Sequence, residues 1–213
     1  MIELKNISYA YEEEPVLKCV NLRVAAGESV ALYGSNGAGK STLLKIINGL
    51  IFPDAGSYEF EGRTITPDAM SNHQYSKYFH QKIGFVWQNP DTQLFCAAVE
   101  EELSFGPEQM GLPEEEIRRR VEDSLKFFGL EKLRRRAPYY LSGGEKKKTA
   151  LASVLTMNPA VWTLDEPLAA LDEQTKILLT NFLLELKRAG KTIIFSSHDA
   201  EFIKLLADKR LDL

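Results

Sequence analysis

Short, almost entirely apolar runs recur along the chain and alternate with longer segments of mixed polarity. Four such runs lie at 29–33, 83–87, 160–164 and 192–195. Continuous apolar runs of this length are typical of parallel strands covered on both faces, whereas half-exposed strands alternate apolar and polar residues. The four runs therefore predict the centre of a mostly parallel sheet in an α/β fold.

The pattern of elements changes twice along the chain. From Met1 to about Trp87, short strands alternate with turns and one helix; from about 97 to 140 the pattern is helical, and after Met157 strands and helices alternate again. We therefore expect one domain over 1–213. Its core would comprise 1–96, with an antiparallel N-terminal β part, and 141–213, while 97–140 would form an inserted helical subdomain.

The best-defined helix of that insertion is predicted to begin near Pro113 and to end at Gly129. Proline is favoured at the first helical position, and glycine is favoured directly after the last one. Between them, apolar residues recur at helical spacing and predict a buried face made of Ile117, Val121, Leu125 and Phe128.

A glycine-rich string directly follows the first apolar run. It comprises Gly34, Ser35, Asn36, Gly37, Ala38, Gly39, Lys40 and Ser41, and a helical pattern begins at Thr42, which we also expect to contact the ligand. In a strand, glycine turn and helix of this order, backbone N–H groups and the helix N-terminus can enclose a phosphate. Lys40 then suits the β- and γ-phosphates of a nucleoside triphosphate, and the Ser41 hydroxyl suits Mg²⁺. The alternative is a glycine turn without a ligand, which the flanking strand and helix disfavour.

Two carboxylates follow the apolar run at 160–164. Asp165 is placed to hold Mg²⁺ through water, and Glu166 is placed to orient or deprotonate an attacking water. The alternative is a solvated acidic turn. Thr163 interrupts the apolar run, and because a buried hydroxyl needs a partner, we expect it to make a hydrogen bond inside the core.

A second glycine-bearing string, from Leu141 to Glu145, has the spacing of a capping box. Ser142 would cap a helix that runs amphipathically to Met157, and Glu145 would reach back to the start of the same helix. Gly143 and Gly144 leave the first N–H groups exposed at the positive end of the helix dipole. Such a helix start is suited to a phosphate group.

Together, the two glycine strings and the acidic pair resemble the ATP-binding subunits of ABC transporters, and the resemblance extends over nearly the whole chain. It implies a P-loop ATPase fold of the ABC type that hydrolyses ATP with Mg²⁺. It also implies that Ser142, Gly143, Gly144 and Glu145 face the ATP of a second ATPase subunit, which could be identical or different. Asp172, in the stretch that resembles the D-loop, would lie beside the nucleotide and is also suited to cap a helix over 173–189.

The resemblance assigns roles to three further residues. Gln88 would be the Q-loop glutamine that reaches the metal and the attacking water. His198 would be the switch histidine that contacts the γ-phosphate, although an isolated histidine is more often structural. Tyr11 would stack on the adenine, and its neighbour Tyr9 is the alternative.

One stretch of the chain indicates a particular branch of this family. The run from Val86 to Phe95 resembles the ATPase subunits of energy-coupling-factor importers, which take up metal ions or vitamins. This resemblance implies a transmembrane coupling subunit, docked between 88–95 and the helical insertion, and a substrate-binding membrane subunit. Leu94 and Phe95 would form an apolar tip beside that groove. The alternatives are an ATPase subunit of another ABC importer or exporter, and a soluble ABC protein of repair or translation.

Composition excludes several other classes. The formal net charge is −4, so the basic clusters are interpreted as solvated helix faces, and no nucleic-acid partner is expected. The sequence has no signal peptide and no apolar run near the ~20 residues that cross a bilayer. We therefore expect a peripheral subunit at the cytoplasmic face of the cell membrane. Two distant cysteines without metal-binding spacing fit a reducing compartment.

Overall fold

The computed structural model describes all residues from Met1 to Leu213 and contains two β-sheets. The first is antiparallel with strand order β2-β1-β4-β5, and the second is parallel with order β6-β7-β8-β3-β9. The first sheet comprises β1 (Ile2–Tyr11), β2 (Glu14–Val24), β4 (Ala55–Phe60) and β5 (Arg63–Thr64). The second comprises β3 (Ser29–Tyr33), β6 (Ile83–Val86), β7 (Val161–Leu164), β8 (Thr192–Ser196) and β9 (Lys209–Asp212).

The four apolar runs form four neighbouring strands of the parallel sheet, as the pattern predicted: β6 lies at one edge, and β7, β8 and β3 are inner strands. Every residue of β7 and β8 is buried, because both faces of these strands are covered. Successive residues point to opposite faces, so Trp162 and Val161 belong to different hydrophobic cores. The edge strand β9 was not predicted, since its sequence Lys-Arg-Leu-Asp carries no apolar run, and pairing with β3 defines it.

Eight α-helices accompany the sheets. They are α1 (Lys40–Ile47), α2 (Pro67–Ser71), α3 (His73–Lys82), α4 (Val99–Met110), α5 (Glu114–Phe128), α6 (Gly143–Met157), α7 (Glu173–Arg188) and α8 (Ala200–Leu206). None of them combines the length and the apolar character that a bilayer crossing requires.

The expectation of one helix before Trp87 was wrong, because α1, α2 and α3 all precede that residue. Helix α3 is mostly polar and buries only Phe79, so its sequence has no apolar stripe for a pattern to detect. The local signals of α2 and α3 are their N-terminal capping residues. Thr66 accepts from the Ala69 N–H at the start of α2, and Asn72 accepts from the Tyr75 N–H at the start of α3.

The segment predicted as a helical insertion contains α4 and α5. Helix α5 begins at Glu114, with Pro113 one position before it, and ends at Gly129 in the left-handed conformation with φ of 67°. Val121, Leu125 and Phe128 are buried as predicted, whereas Ile117 is only partly buried at the edge of the cluster. These residues share one hydrophobic core with Trp162 in β7 and Leu151 in α6, so the insertion packs onto the sheet through α6.

The buried threonine of β7 has the partners that its position demanded. Its Oγ1 accepts a hydrogen bond from Asn48 Nδ2 at 2.8 Å and lies 2.9 Å from the Gly84 carbonyl oxygen, to which it donates. The predicted hydrogen bond inside the core is therefore confirmed. It joins the C-terminal end of α1 to the strand that carries the acidic pair, and so links two parts of the cavity described below.

Candidate active site

The first glycine string forms the turn between β3 and α1. Gly37 and Gly39 have φ of 83° and 94°, in the left-handed region where a Cβ is unfavourable. At Gly39 an added Cβ would also lie 2.6 Å from Leu17 Cδ2 on β2. Backbone conformation and close packing on β2 therefore both require glycine at this position.

The side chain of Lys40 folds back over this turn. Its Nζ donates to the carbonyl oxygens of Gly34 and Ser35 at 2.8 and 3.0 Å. It also lies 3.2 Å from His198 Nε2, and only 7% of the residue is exposed. A cation held by neutral carbonyl groups can exchange them for phosphate oxygens, which are stronger, charged acceptors.

The two acidic residues lie at the carboxyl end of β7, and a serine of the neighbouring strand contacts both of them. Ser196 Oγ donates to Asp165 Oδ1 at 2.7 Å and accepts from the backbone N–H of Glu166 at 2.8 Å. Asp165 is only 5% exposed. Ser196 was missed in the sequence, because one serine at the end of an apolar run has no distinctive spacing.

Glu166 is held in an unusual environment. Its φ of 43° is rare for a residue with a side chain, and such conformations concentrate at functional sites. Burial raises the pKa of its carboxyl group, while His198 and Lys40 oppose that shift. Its Oε1 makes no hydrogen bond within the protein and lies 3.4 Å from His198 Nε2. A buried carboxylate oxygen without a donor is available to a water or a ligand in the cavity.

These groups surround one cavity of about 620 Å³ at the carboxyl ends of the parallel strands. Ligands of open α/β sheets collect at this edge. Twelve of the predicted residues line the cavity: Tyr11, Asn36, Gly37, Ala38, Gly39, Lys40, Ser41, Thr42, Gln88, Asp165, Glu166 and His198. Val16 and Ala169 complete the lining and were not predicted; neither carries a polar side chain that a motif could have marked.

The donor set of the cavity suits Mg²⁺. Ser41, Gln88 and Asp165 supply a hydroxyl, an amide oxygen and a carboxylate to the same space. Mg²⁺ takes oxygen ligands and usually keeps several waters, so two or three protein groups beside a phosphate are sufficient. No group of three His, Cys, Asp or Glu residues forms a separate metal site elsewhere in the protein.

The second glycine string lies outside this cavity. Ser142 caps α6 by accepting from the Glu145 N–H, and the Glu145 carboxylate accepts from the Ser142 N–H at 2.7 Å, so the predicted capping box is confirmed. Ser142 and Gly143 are exposed. Asp172 also lies outside the cavity; it caps α7 by accepting from the Thr175 N–H at 2.9 Å.

Gly34 and Ser35 do not line the cavity either, although both belong to the glycine turn. Their carbonyl groups hold Lys40, as described above. We call the turn between β3 and α1 the phosphate turn. Within one chain, the structure brings the phosphate turn, the acidic pair, Gln88 and His198 together. It leaves residues 142–145 and Asp172 on an outer surface.

The two tyrosines of β1 differ in their surroundings. Tyr11 is 41% exposed and lines the cavity, whereas Tyr9 is partly buried against the core between the sheets. Their rings make an edge-to-face contact with centroids 5.0 Å apart. Burial raises the pKa of the Tyr9 hydroxyl, in keeping with its more enclosed position.

A second, more apolar cavity of about 270 Å³ lies between the stretch 88–95 and α4. Phe95 is 67% exposed at its edge and packs edge-to-face on Phe105 with centroids 5.0 Å apart. Leu94 is partly buried and does not line this cavity. The apolar tip predicted from Leu94 and Phe95 is therefore formed mainly by Phe95. We call this space the apolar groove and define it by Leu50, Phe85, Trp87, Phe95, Phe105 and Met157.

Comparison with known proteins agrees with this geometry. The family model described as ABC transporter matches residues 17–169, more than half of the chain. An energy-coupling factor transporter ATP-binding protein, EcfA, of Methanothermobacter thermautotrophicus is 45% identical over 210 residues, which cover 98% of this chain and 66% of the relative.

Two solved structures extend the comparison to three dimensions. One is CbiO1 of Clostridium perfringens, described as part of the ABC transporter complex CbiONQ: it is 37% identical, covers 99% of this chain and 83% of its own, and superimposes with a TM-score of 0.83. The other is a dimeric ATP-binding cassette in a post-hydrolysis state bound to ADP and Pi: it is 30% identical, covers 100% and 94% of the two chains, and gives a TM-score of 0.89. The phosphate turn, the acidic pair, the capped glycine string and the shared fold have one common explanation: this chain belongs to the ABC transporter family as an ATP-binding subunit.

Proposed function

We propose that this chain is the ATP-hydrolysing subunit of a membrane importer of the energy-coupling-factor type, which takes up a metal ion or a vitamin. The observation that carries the proposal is the assembly of the phosphate turn, the acidic pair, Gln88 and His198 around one cavity. The stretch 88–95, which borders the apolar groove, supports the energy-coupling-factor branch. The names of the EcfA and CbiO1 relatives support it independently.

ATP binding would begin at the phosphate turn. The backbone N–H groups of 36–40 and the N-terminus of α1, which has no acidic residue in its first turn, favour the β-phosphate. Lys40 would leave the carbonyl groups of Gly34 and Ser35 and donate to β- and γ-phosphate oxygens instead. Tyr11, at the exposed rim, would stack on the adenine, since both rings lose apolar surface to water in that arrangement.

Mg²⁺ would be held by Ser41, Gln88 and Asp165. When bound, it supplies positive charge to the phosphate oxygens and so favours cleavage of the bond to the γ-phosphate. Ser196 keeps the Asp165 carboxylate in position through its hydrogen bond to Oδ1. Gln88 is exposed at the cavity, so its amide can also reach the attacking water.

Hydrolysis would then use Glu166 and His198. Glu166 accepts the proton of the water that attacks the γ-phosphorus, and the bond from that phosphorus to the β–γ bridging oxygen breaks to give ADP and Pi. Burial favours this role, because it raises the pKa of the carboxyl group. In addition, Oε1 has no hydrogen-bond donor within the protein. His198 lies beside Glu166 and Lys40 and would donate to a γ-phosphate oxygen.

The second glycine string, which lies outside the cavity, is the proposed contact with a partner subunit. Ser142, Gly143, Gly144 and Glu145 would contact the ATP of a second ATPase subunit, identical or different, with Asp172 at the same interface. A dimeric state supports this proposal, since one relative is a dimeric ATP-binding cassette bound to ADP and Pi. A transmembrane coupling subunit would dock in the apolar groove, and a substrate-binding membrane subunit would complete a transporter that holds this chain at the cytoplasmic face of the membrane.

Replacement of Glu166 by glutamine tests the proposal. Glu166→Gln keeps the shape of the side chain but removes the base, so we expect ATP affinity to change by less than about threefold and turnover to fall about 100- to 10,000-fold. The matched control is Glu115→Gln, because Glu115 is an exposed glutamate of α5 that does not line the cavity. This variant should hydrolyse ATP like the wild type. Equal turnover in the two variants would refute the assignment of Glu166 as the base.

A further inference from the structure

A buried lysine in α6 takes no part in the reaction proposed above. Lys147 is only 2% exposed, and its Nζ donates to the carbonyl oxygens of Trp87 and Gln88 at 3.0 and 2.9 Å. These two residues directly follow β6, and Gln88 is the one whose side chain lines the ATP cavity. The ammonium group therefore holds the backbone from which that side chain projects.

Two other side chains fasten the same stretch to α6. Gln93 accepts from the Trp87 N–H at 3.1 Å and donates to the Ala150 carbonyl at 3.0 Å. Lys146 forms an ion pair with Asp91 at 2.6 Å. These contacts attach the stretch 87–93 to α6. Lys147 is the attachment that contacts Gln88 directly.

The burial of the Lys147 side chain has an energetic cost that an apolar side chain would not have. Burying an ammonium group is unfavourable, and a methionine of similar length would fill the space without that penalty. Burial lowers the pKa of Lys147 to about 8, and the carboxylates of Asp165 and Glu166 partly counter this effect. The hydrogen bonds from the ammonium group to two backbone carbonyl groups offset this penalty and fix the lysine against the stretch after β6.

We propose that Lys147 is a positioning residue for ATP hydrolysis: it holds the Trp87 and Gln88 carbonyl groups and so fixes the Gln88 side chain in the cavity. The proposal rests on the proposed ATPase function. It also ties Gln88 to the helix that begins at Ser142.

A double-mutant cycle of Lys147→Met and Gln88→Ala in the full chain tests this inference. We expect Lys147→Met to lower kcat about tenfold to a hundredfold, to leave ATP affinity nearly unchanged and to raise the half-saturating Mg²⁺ concentration, because a displaced Gln88 misplaces metal and water. In the Gln88→Ala background the same change should have almost no further effect on kcat. Lys147 would then act through Gln88, since independent residues give multiplicative losses.

Two variants complete the design. Lys148→Met removes the adjacent lysine, which is partly exposed, and should retain the wild-type kcat. Lys147→Arg keeps a charged donor for two carbonyl groups and should restore part of the turnover. If Lys147→Met does not unfold cooperatively, the same cycle with Lys147→Arg decides the question.

Multiplicative losses in the double variant, an equal loss in Lys148→Met, or a loss confined to ATP affinity would overturn the role of Lys147. Failure of the underlying function has a different signature. In that case the wild-type chain shows no hydrolysis that Glu166→Gln removes, whatever residue stands at 147.

Discussion

The two tyrosines near the end of β1 show how strongly one residue depends on its surroundings. Tyr9 and Tyr11 are identical in chemistry and two positions apart, so the sequence leaves both as candidates to stack on adenine. In the structure Tyr11 is exposed and lines the cavity, while Tyr9 packs against the core between the sheets. Accessibility to the ligand, which only the fold provides, separates them.

Alanine substitutions at the two positions should therefore have different effects. Tyr11→Ala is expected to weaken ATP binding by about 1 kcal/mol, or roughly fivefold, because the adenine loses its stacking partner. Tyr9→Ala should lower the free energy of unfolding instead, since it removes a partly buried ring. ATP titrations and urea unfolding of both variants measure the two quantities. A loss of ATP affinity confined to Tyr9→Ala would reverse the assignment.

Ser196 and Thr163 are residue-scale cases of a different kind. The interruption of an apolar run by Thr163 was sufficient to predict a buried hydrogen bond, because a hydroxyl without a partner is unfavourable in a core. Its partners, Asn48 and Gly84, are distant in sequence and follow only from the packing. Ser196 gave no such signal, although it bonds both the Asp165 carboxylate and the backbone N–H of Glu166.

At the scale of elements, the stretch after β6 and the helices α4 and α6 act together. The stretch 87–93 is bonded to α6, and the apolar groove lies between that stretch and α4. Glu102 of α4 accepts from the backbone N–H groups of Phe95 and Cys96 and so fixes the end of the stretch. Phe95 consequently stands exposed at the edge of the groove with a defined orientation on Phe105.

A charge at the tip of this groove should disrupt docking of the proposed coupling subunit. Phe95→Asp is expected to weaken assembly with co-expressed membrane subunits by more than about tenfold, because exposed aromatic anchors contribute strongly to helix-in-groove contacts. ATP affinity of the isolated chain should remain at the wild-type value. Pull-down of the membrane subunits and ATP titration report the two properties.

Ile177→Asp is the control for this experiment, since Ile177 is 61% exposed on α7 and lies outside the groove. It should assemble normally. Wild-type assembly of Phe95→Asp would exclude the groove as the docking site. Leu94→Asp is a weaker probe than the sequence suggested, because Leu94 is partly buried and its replacement also perturbs folding.

At the scale of the whole molecule, the second glycine string lies away from the chain's own cavity. The cavity is lined by the phosphate turn, the acidic pair and His198, while the capped start of α6 faces outward with Ser142 and Gly143 exposed. Under the proposed function, this helix start contacts the nucleotide of a second ATPase subunit. ATP would then form part of the interface and stabilise the dimer by linkage.

Trapping ATP should therefore convert the chain from monomer to dimer. Glu166→Gln, which binds ATP without turnover, is expected to sediment as a monomer without nucleotide and as a dimer with ATP and Mg²⁺. Ser142→Arg in the same background should prevent dimerisation, because a large cation would occupy the phosphate position of the helix start. Sedimentation velocity measures both. A dimer that forms without nucleotide and survives Ser142→Arg would show that a different surface joins the subunits.

The sequence by itself determined the family, the class of fold and most of the residues around the cavity. Local signals were sufficient there, because glycine spacing, capping residues and apolar runs act within a few positions along the chain. Its apolar pattern did not reveal the two polar helices before β6, whose only local signals are capping residues, or the edge strand β9, which is defined by its pairing with the distant strand β3. Only the tertiary structure placed Ser196 against the Asp165 carboxylate and Lys147 against the Gln88 carbonyl group. Both contacts join residues that lie far apart in sequence, and only the packed fold brings them within hydrogen-bonding distance.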